Sequence, residues 1–202
     1  MTSIIISITV FVIVIVAHEL AHGYVAYRLG DTTARDAGRL TLNPMAHADP
    51  IGTVLLPALL ILSHSPVIFG WAKPVPVNPN NFKDPRKGML LTSLAGPGAN
   101  LLLAMVFAFI FKLGLFPARS IPGAFLIYGV IISLVLGVFN LMPIPPLDGG
   151  EIISAMLPPE AAKRFARIER YGFLLIIGLL YLGFFDRVIL PLVGILFKIL
   201  VG

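Results

Sequence analysis

Residues 3–27 read SIIISITVFVIVIVAHELAHGYVAY, from Ser3 to Tyr27. The stretch is long enough to cross a hydrocarbon core, which takes roughly 20 residues of helix. Nothing ionisable occurs from Ile4 to Ala17, and then three ionisable side chains fall within five positions: His18, Glu19 and His22. At the centre of a membrane helix each such group costs on the order of 2.5–3.5 kcal/mol, so this cluster requires a partner that offsets the cost. His18 and His22 stand at i and i+4, on one helical face about one turn apart, where both imidazoles can bind one metal ion. Glu19, beside the first histidine, is placed to act as a general base on water, as in metalloproteases with this spacing.

The rest of the chain has the same solvent. Of its 202 residues, 57% are hydrophobic and 12% charged, against about 25% charged in soluble domains. Further apolar runs extend over 51–69, 89–115, 123–142 and 171–201, parted by connectors rich in Pro, Gly and charge. The expectation is an all-α polytopic membrane protein, a bundle of transmembrane helices forming a single domain over residues 1–202. The N-terminal run has no basic stretch before it and no clear cleavage site, so it reads as a helix and not as a leader. The chain contains no cysteine, so a metal must be held by His, Asp or Glu.

The net charge of +5 does not point to nucleic acid, because the basic residues sit in short connectors and not on one face. They read as topology signals. If the first helix runs inward, Arg28, Arg35, Arg39, Lys73, Lys83, Arg86, Lys87, Lys163, Arg164, Arg167 and Arg170 all lie on the cytoplasmic side, opposed by Lys112 and Arg119. That assignment requires 51–69 to dip into the membrane and return, which its interior Pro57 and its Ser63-His64-Ser65 favour. In 171–201, Asp186 and Arg187 divide the run into two short crossings or a helix and a surface piece. Residues 158–170, with Phe165 and Ile168 among basic residues, read as an amphipathic helix beside anionic lipid.

A catalytic zinc site usually has three protein ligands and one open position, so two histidines leave it one short. Asp148 is the candidate. It lies in Asn140-Leu141-Met142-Pro143-Ile144-Pro145-Pro146-Leu147-Asp148-Gly149-Gly150, directly after a membrane run that must end on the same side as the His pair. From spacing alone, an Asp-Gly-Gly is equally a plain turn.

Together these residues resemble the site-2 proteases, intramembrane zinc metalloproteases marked by a His-Glu-x-x-His helix and a distant Leu-Asp-Gly. The stretches 38–44 (GRLTLNP), 70–77 (GWAKPVPV) and 93–100 (SLAGPGAN) look like the same family in its short prokaryotic form, without a PDZ or CBS domain. The resemblance implies Zn²⁺ held by His18, His22 and Asp148, Glu19 as catalytic base, and Asn140 holding substrate or stabilising the oxyanion. It also implies a β-like loop over 38–49, dipping towards the active site. The substrate would be a membrane protein with a transmembrane segment, cleaved within or beside the lipid bilayer. The location would be the cell membrane, multi-pass, with the active site towards the cytoplasm. Substrate choice would rest on the membrane domain or on a regulatory membrane partner.

Other conspicuous residues have plainer readings. His47 with Asp49, and His64, are loop residues left outside the metal shell. Gly96 and Gly98 suit close helix packing, and Asn100 serves either that packing or the active site. The alternative from another class is a divalent-metal transporter or metal-sensing membrane protein that uses the same His pair without a general base.

Overall fold

A computed structural model describes residues 2–63 and 70–202. Three helices are long and apolar enough to cross a membrane: α1 (Thr2–Arg28), α4 (Pro85–Lys112) and α5 (Ile121–Asn140). Between α1 and α4 lie two short helices, α2 (Thr33–Asp36) and α3 (Leu56–Leu62); after α5 come α6 (Asp148–Met156), α7 (Pro159–Tyr181) and α8 (Leu190–Val201). No β-strand occurs among the described residues. The protein is a multi-pass, all-helical membrane protein.

The core of the bundle is α1, α4 and α5, each packed on the other two, with α8 against α4 and α5. In α1 the buried Ile6, Val10, Val14 and His18 recur every four residues, so the face that carries the first histidine is the face that meets the bundle. Ile4, Ile5, Ile8 and Phe11 on the other faces are exposed, as lipid-facing residues are. Small residues set the spacing between α4 and α5: Gly129 lies against the Phe107 ring, and Gly137 against Asn100. The pairings Phe107–Gly129 and Asn100–Gly137 run in opposite directions along the chain, so α4 and α5 are antiparallel. α4 begins at Pro85, four residues before the apolar run, because the Asp84 carboxylate caps it by accepting the Arg86 and Lys87 N–H groups, both at 3.1 Å.

The segment after residue 50 does not make a single crossing. Trp71 N–H donates to Gly52 O at 3.2 Å, Thr53 Oγ1 to Trp71 O at 2.9 Å, and Lys73 N–H to His47 O at 2.9 Å. A crossing would separate its ends by about 30 Å; here the chain is back beside its starting point by Trp71. Gly52 permits the closure, since a Cβ there would stand 2.4 Å from the Trp71 indole. His64 and Ser65 lie outside the described residues.

The expected β-like stretch at 38–49 is a non-helical connector ending in a 3-10 turn, Pro44–His47, capped by Asn43. Residues 70–78 have no regular secondary structure. The last apolar run consists of two helices bent by 71°, with Gly183 at φ +72° in the turn between them. Residues 159–170 are helical, as expected, and continue without a break into the apolar half of α7. No proline interrupts the junction from Ile168 to Phe173.

Candidate metal centre

The inward face of α1 continues past Val14 to His18 and His22, which places both imidazoles against α4. They fit there because α4 presents Gly96: a Cβ at that position would stand 2.2 Å from His22 Nε2 and 2.6 Å from His18 Cε1. Asp148 arrives from the other side. α5 ends at Asn140, a proline-rich turn follows, and Asp148 is the first residue of α6. Arg86, in the first turn of α4, donates to Ala155 O at 3.1 Å and to Leu157 O, which ties the far end of α6 to the bundle.

The three side chains converge on one point. His18 Nε2 and His22 Nε2 are 3.0 Å apart, and Asp148 places Oδ2 at 3.3 Å from the first and Oδ1 at 3.3 Å from the second. A tetrahedral ion with ligands at 2.0–2.1 Å has ligand atoms roughly 3.3 Å apart along each edge. The two histidines meet different oxygens of Asp148, and one ligand atom from each of the three side chains lies within 4.8 Å of the others, so the three can share one ion. Two observations support that fit. Asp148 Oδ2 is enclosed and accepts no hydrogen bond. His22 Nδ1–H donates to Thr92 O at 2.7 Å, so in the neutral ring the Nε2 lone pair points into the cluster, where a cation is needed to hold the converging lone pairs. Among the described residues this is the one group of three or more His, Cys, Asp or Glu side chains with that geometry.

Glu19 sits one residue from the first imidazole, and its Oε2 accepts the Val75 N–H at 2.9 Å. Glu19, both histidines, Asp148 and Asn140 all line one cleft of about 840 Å³. Its other walls are largely apolar and come from α5, α7 and the irregular stretch from Gly70 to Val77, where Trp71 meets Phe173 edge to face at 5.7 Å. Asn140 donates through Nδ2 to Leu136 O at 3.0 Å, which leaves its second amide hydrogen for the cleft. By the rise of 1.5 Å per residue, His22 and His18 lie about 9 and 15 Å along the axis from the Arg28 end of α1.

His47 takes no part: it is buried, with Nε2 on Thr41 O at 2.9 Å, and Asp49 caps the turn at Ile51 and Gly52. Sequence reasoning missed two partners of the site, the Thr92 carbonyl and the Val75 N–H. Both are backbone groups, so no residue type marks them. It also passed over Glu151, three residues after Asp148, which accepts from Ser93 Oγ at 2.6 Å in the same cleft.

The sequence profile of Peptidase family M50 matches residues 116–182, which include Asp148 but not the His pair. A Bacillus subtilis (strain 168) protein with the name "Putative zinc metalloprotease YwhC" is 41% identical over 184 residues, covering 88% of this chain and 80% of that protein. Two mycobacterial proteins bear the same description with the name Rip2. The Mycolicibacterium smegmatis one is 31% identical over 163 residues, 81% of this chain and 61% of its own length. That of Mycobacterium tuberculosis H37Rv is 33% identical over 164 residues, 80% of this chain and 62% of its own length. The chain thus spans less than two thirds of either Rip2. No solved structure matches it.

Proposed function

The chain belongs to peptidase family M50, the site-2 proteases, and from that membership and the geometry of the His18–His22–Asp148 cluster we propose how it works. It is an intramembrane zinc metalloprotease, a hydrolase that cuts peptide bonds of membrane proteins in the bilayer. In our reading His18, His22 and Asp148 hold Zn²⁺, Glu19 is the general base and Asn140 meets the substrate. The single observation that carries this reading is the convergence of three metal-ligating side chains, with ligand atoms within 4.8 Å of one another, beside a carboxylate in one cleft.

Bound there, Zn²⁺ supplies a Lewis acid that polarises the scissile carbonyl and brings the pKa of water towards 7. Glu19 takes a proton from the attacking water and delivers it to the leaving amine. Its hydrogen bond from Val75 N–H holds one carboxylate oxygen and leaves the other for that transfer. The spare N–H of Asn140 donates to oxygen charge as it develops on the substrate. The apolar walls accept the side chains of a membrane segment, which must unwind locally because a helix ties up its carbonyls in i to i+4 bonds.

The chain acts as a single membrane domain, and the positive charges of its connectors put the active site towards the cytoplasm. Its substrates carry a transmembrane segment, and the choice among them rests on the membrane domain or on a membrane partner. Nothing in the cluster favours metal transport, which needs no base beside the ligands.

The test is cleavage of a model single-span substrate by purified protein in detergent, with metal analysis. Glu19→Gln should retain about one zinc per chain and lose cleavage by about 10²–10⁴-fold. Equal cleavage by both proteins would overturn the mechanism. Asn140→Leu should keep its zinc and lower kcat by about 10²–10³-fold; an unchanged kcat would remove Asn140 from the site.

A further inference from the structure

We infer that Asn100 of α4 is a positioning residue for the metal centre: its amide oxygen accepts the Nδ1–H of His18 and thereby turns the Nε2 lone pair of that ring towards the metal. The inference rests on the reading of His18 as a zinc ligand. Asn100 is fully buried, with no exposed surface at all. Its amide nitrogen Nδ2 lies 3.0 Å from His18 Nδ1, and its amide oxygen Oδ1 is enclosed without a hydrogen-bond partner; turning the planar amide by 180° exchanges the two atoms. An amide and an imidazole at that distance permit two arrangements. In one, the amide NH₂ donates to an unprotonated Nδ1, which leaves the proton on Nε2 and blocks that nitrogen as a ligand. In the other, Nδ1–H donates to the amide oxygen and Nε2 is free.

A role for His18 as a zinc ligand selects the second. His18 Nε2 faces His22 Nε2 at 3.0 Å and Asp148 Oδ2 at 3.3 Å, so it is the nitrogen inside the cluster. His22 solves the same problem by donating Nδ1–H to the Thr92 carbonyl. Thr92, Gly96 and Asn100 follow one another at four-residue intervals on the inward face of α4. One face of a single helix thus supplies an acceptor for each imidazole, with a side-chain-free gap between them that admits both rings. A helix carbonyl is available to His22 because Gly96 stands four residues after Thr92 and adds no side chain over it. One turn further on a side-chain acceptor is required, and asparagine provides it without placing a further negative charge in the membrane.

The measurement is Zn²⁺ affinity of the full chain in detergent, by competition with a chromogenic chelator, together with thermal unfolding of the metal-free protein. Asn100→Leu keeps the shape and removes the acceptor, and should weaken Zn²⁺ binding about 10–100-fold while the metal-free protein melts within a few degrees of the parent. Asn100→Asp keeps an acceptor oxygen and should bind Zn²⁺ within about threefold of the parent or more tightly. Parent-like affinity in Asn100→Leu would overturn the inference. So would an Asn100→Asp variant that folds but binds as weakly as the leucine one, and this second variant decides the matter if leucine does not fold. Failure of the parent chain itself to bind Zn²⁺ would instead overturn the metal site.

Discussion

At the scale of single residues the site depends as much on a missing side chain as on those present. Alanine ordinarily stabilises a helix interior over glycine by about 1 kcal/mol. At position 96 the order should reverse, because the added Cβ would lie 2.2 Å from the ring nitrogen of His22 that faces the cluster. We expect Gly96→Ala to lose at least about tenfold in Zn²⁺ affinity, whereas Gly98→Ala, with nothing within 4 Å of its Cβ, should bind the metal as the parent does. Equilibrium dialysis against Zn²⁺ distinguishes the two, and equal affinities would mean that α1 and α4 pack less closely than described.

At the scale of elements, the joints between helices carry the geometry. Asp31, three residues beyond α1, is fully enclosed. Its carboxylate accepts Asn78 N–H and Asn81 Nδ2, both at 2.7 Å, as well as Thr33 N–H and Thr33 Oγ1. Through these bonds it ties the end of α1 to the connector that leads into α4. Burial opposes its ionisation, but the donors from Thr33, Asn78 and Asn81 outweigh it and hold the carboxyl below its ordinary range. A lowered folded-state pKa means that stability is fully present above the ordinary value of 3.8 and is lost as pH falls through the lower one. Unfolding in detergent should therefore become easier below about pH 4, and Asp31→Asn should flatten that part of the profile. Its amide would also confront donors already in place, at a cost of about 1–3 kcal/mol at neutral pH. A variant with parental stability and an unchanged acid limb would exclude this joint as a structural element.

At the scale of the molecule, the ladder between residues 47–53 and 71–73 determines the topology. A cysteine-free chain allows this to be tested with single cysteines and a membrane-impermeant maleimide. Met45→Cys, Lys83→Cys and Arg164→Cys should be labelled from one side of the membrane and Arg119→Cys from the other. Labelling at Met45 and Lys83 from opposite sides would make the segment between them a true crossing. The cytoplasmic placement of the first three follows if inside-out vesicles expose them.

The sequence by itself determined whatever depends on composition and on neighbours a few residues apart. Bilayer-scale apolar runs announce the membrane, and the i, i+4 spacing puts His18 and His22 on one face whatever surrounds them. With the first helix running inward, the basic connectors favoured a return of 51–69 to its own side, but the sequence left a crossing open. Asp148 was legible as a candidate only, since an Asp-Gly-Gly after a helix is also an ordinary turn. Tertiary structure decided that it meets the histidines, that Asn100 reaches His18 across 82 residues of chain, and that Val75 reaches Glu19 across 56. It also decided that 159–170 continues as one helix into the apolar half of α7. The physical reason is that helical periodicity fixes directions only within a few turns. Which face of α4 meets which face of α1 is set by where small residues such as Gly96 let two helices close, and in a chain apolar on nearly every face no local pattern distinguishes that contact from lipid.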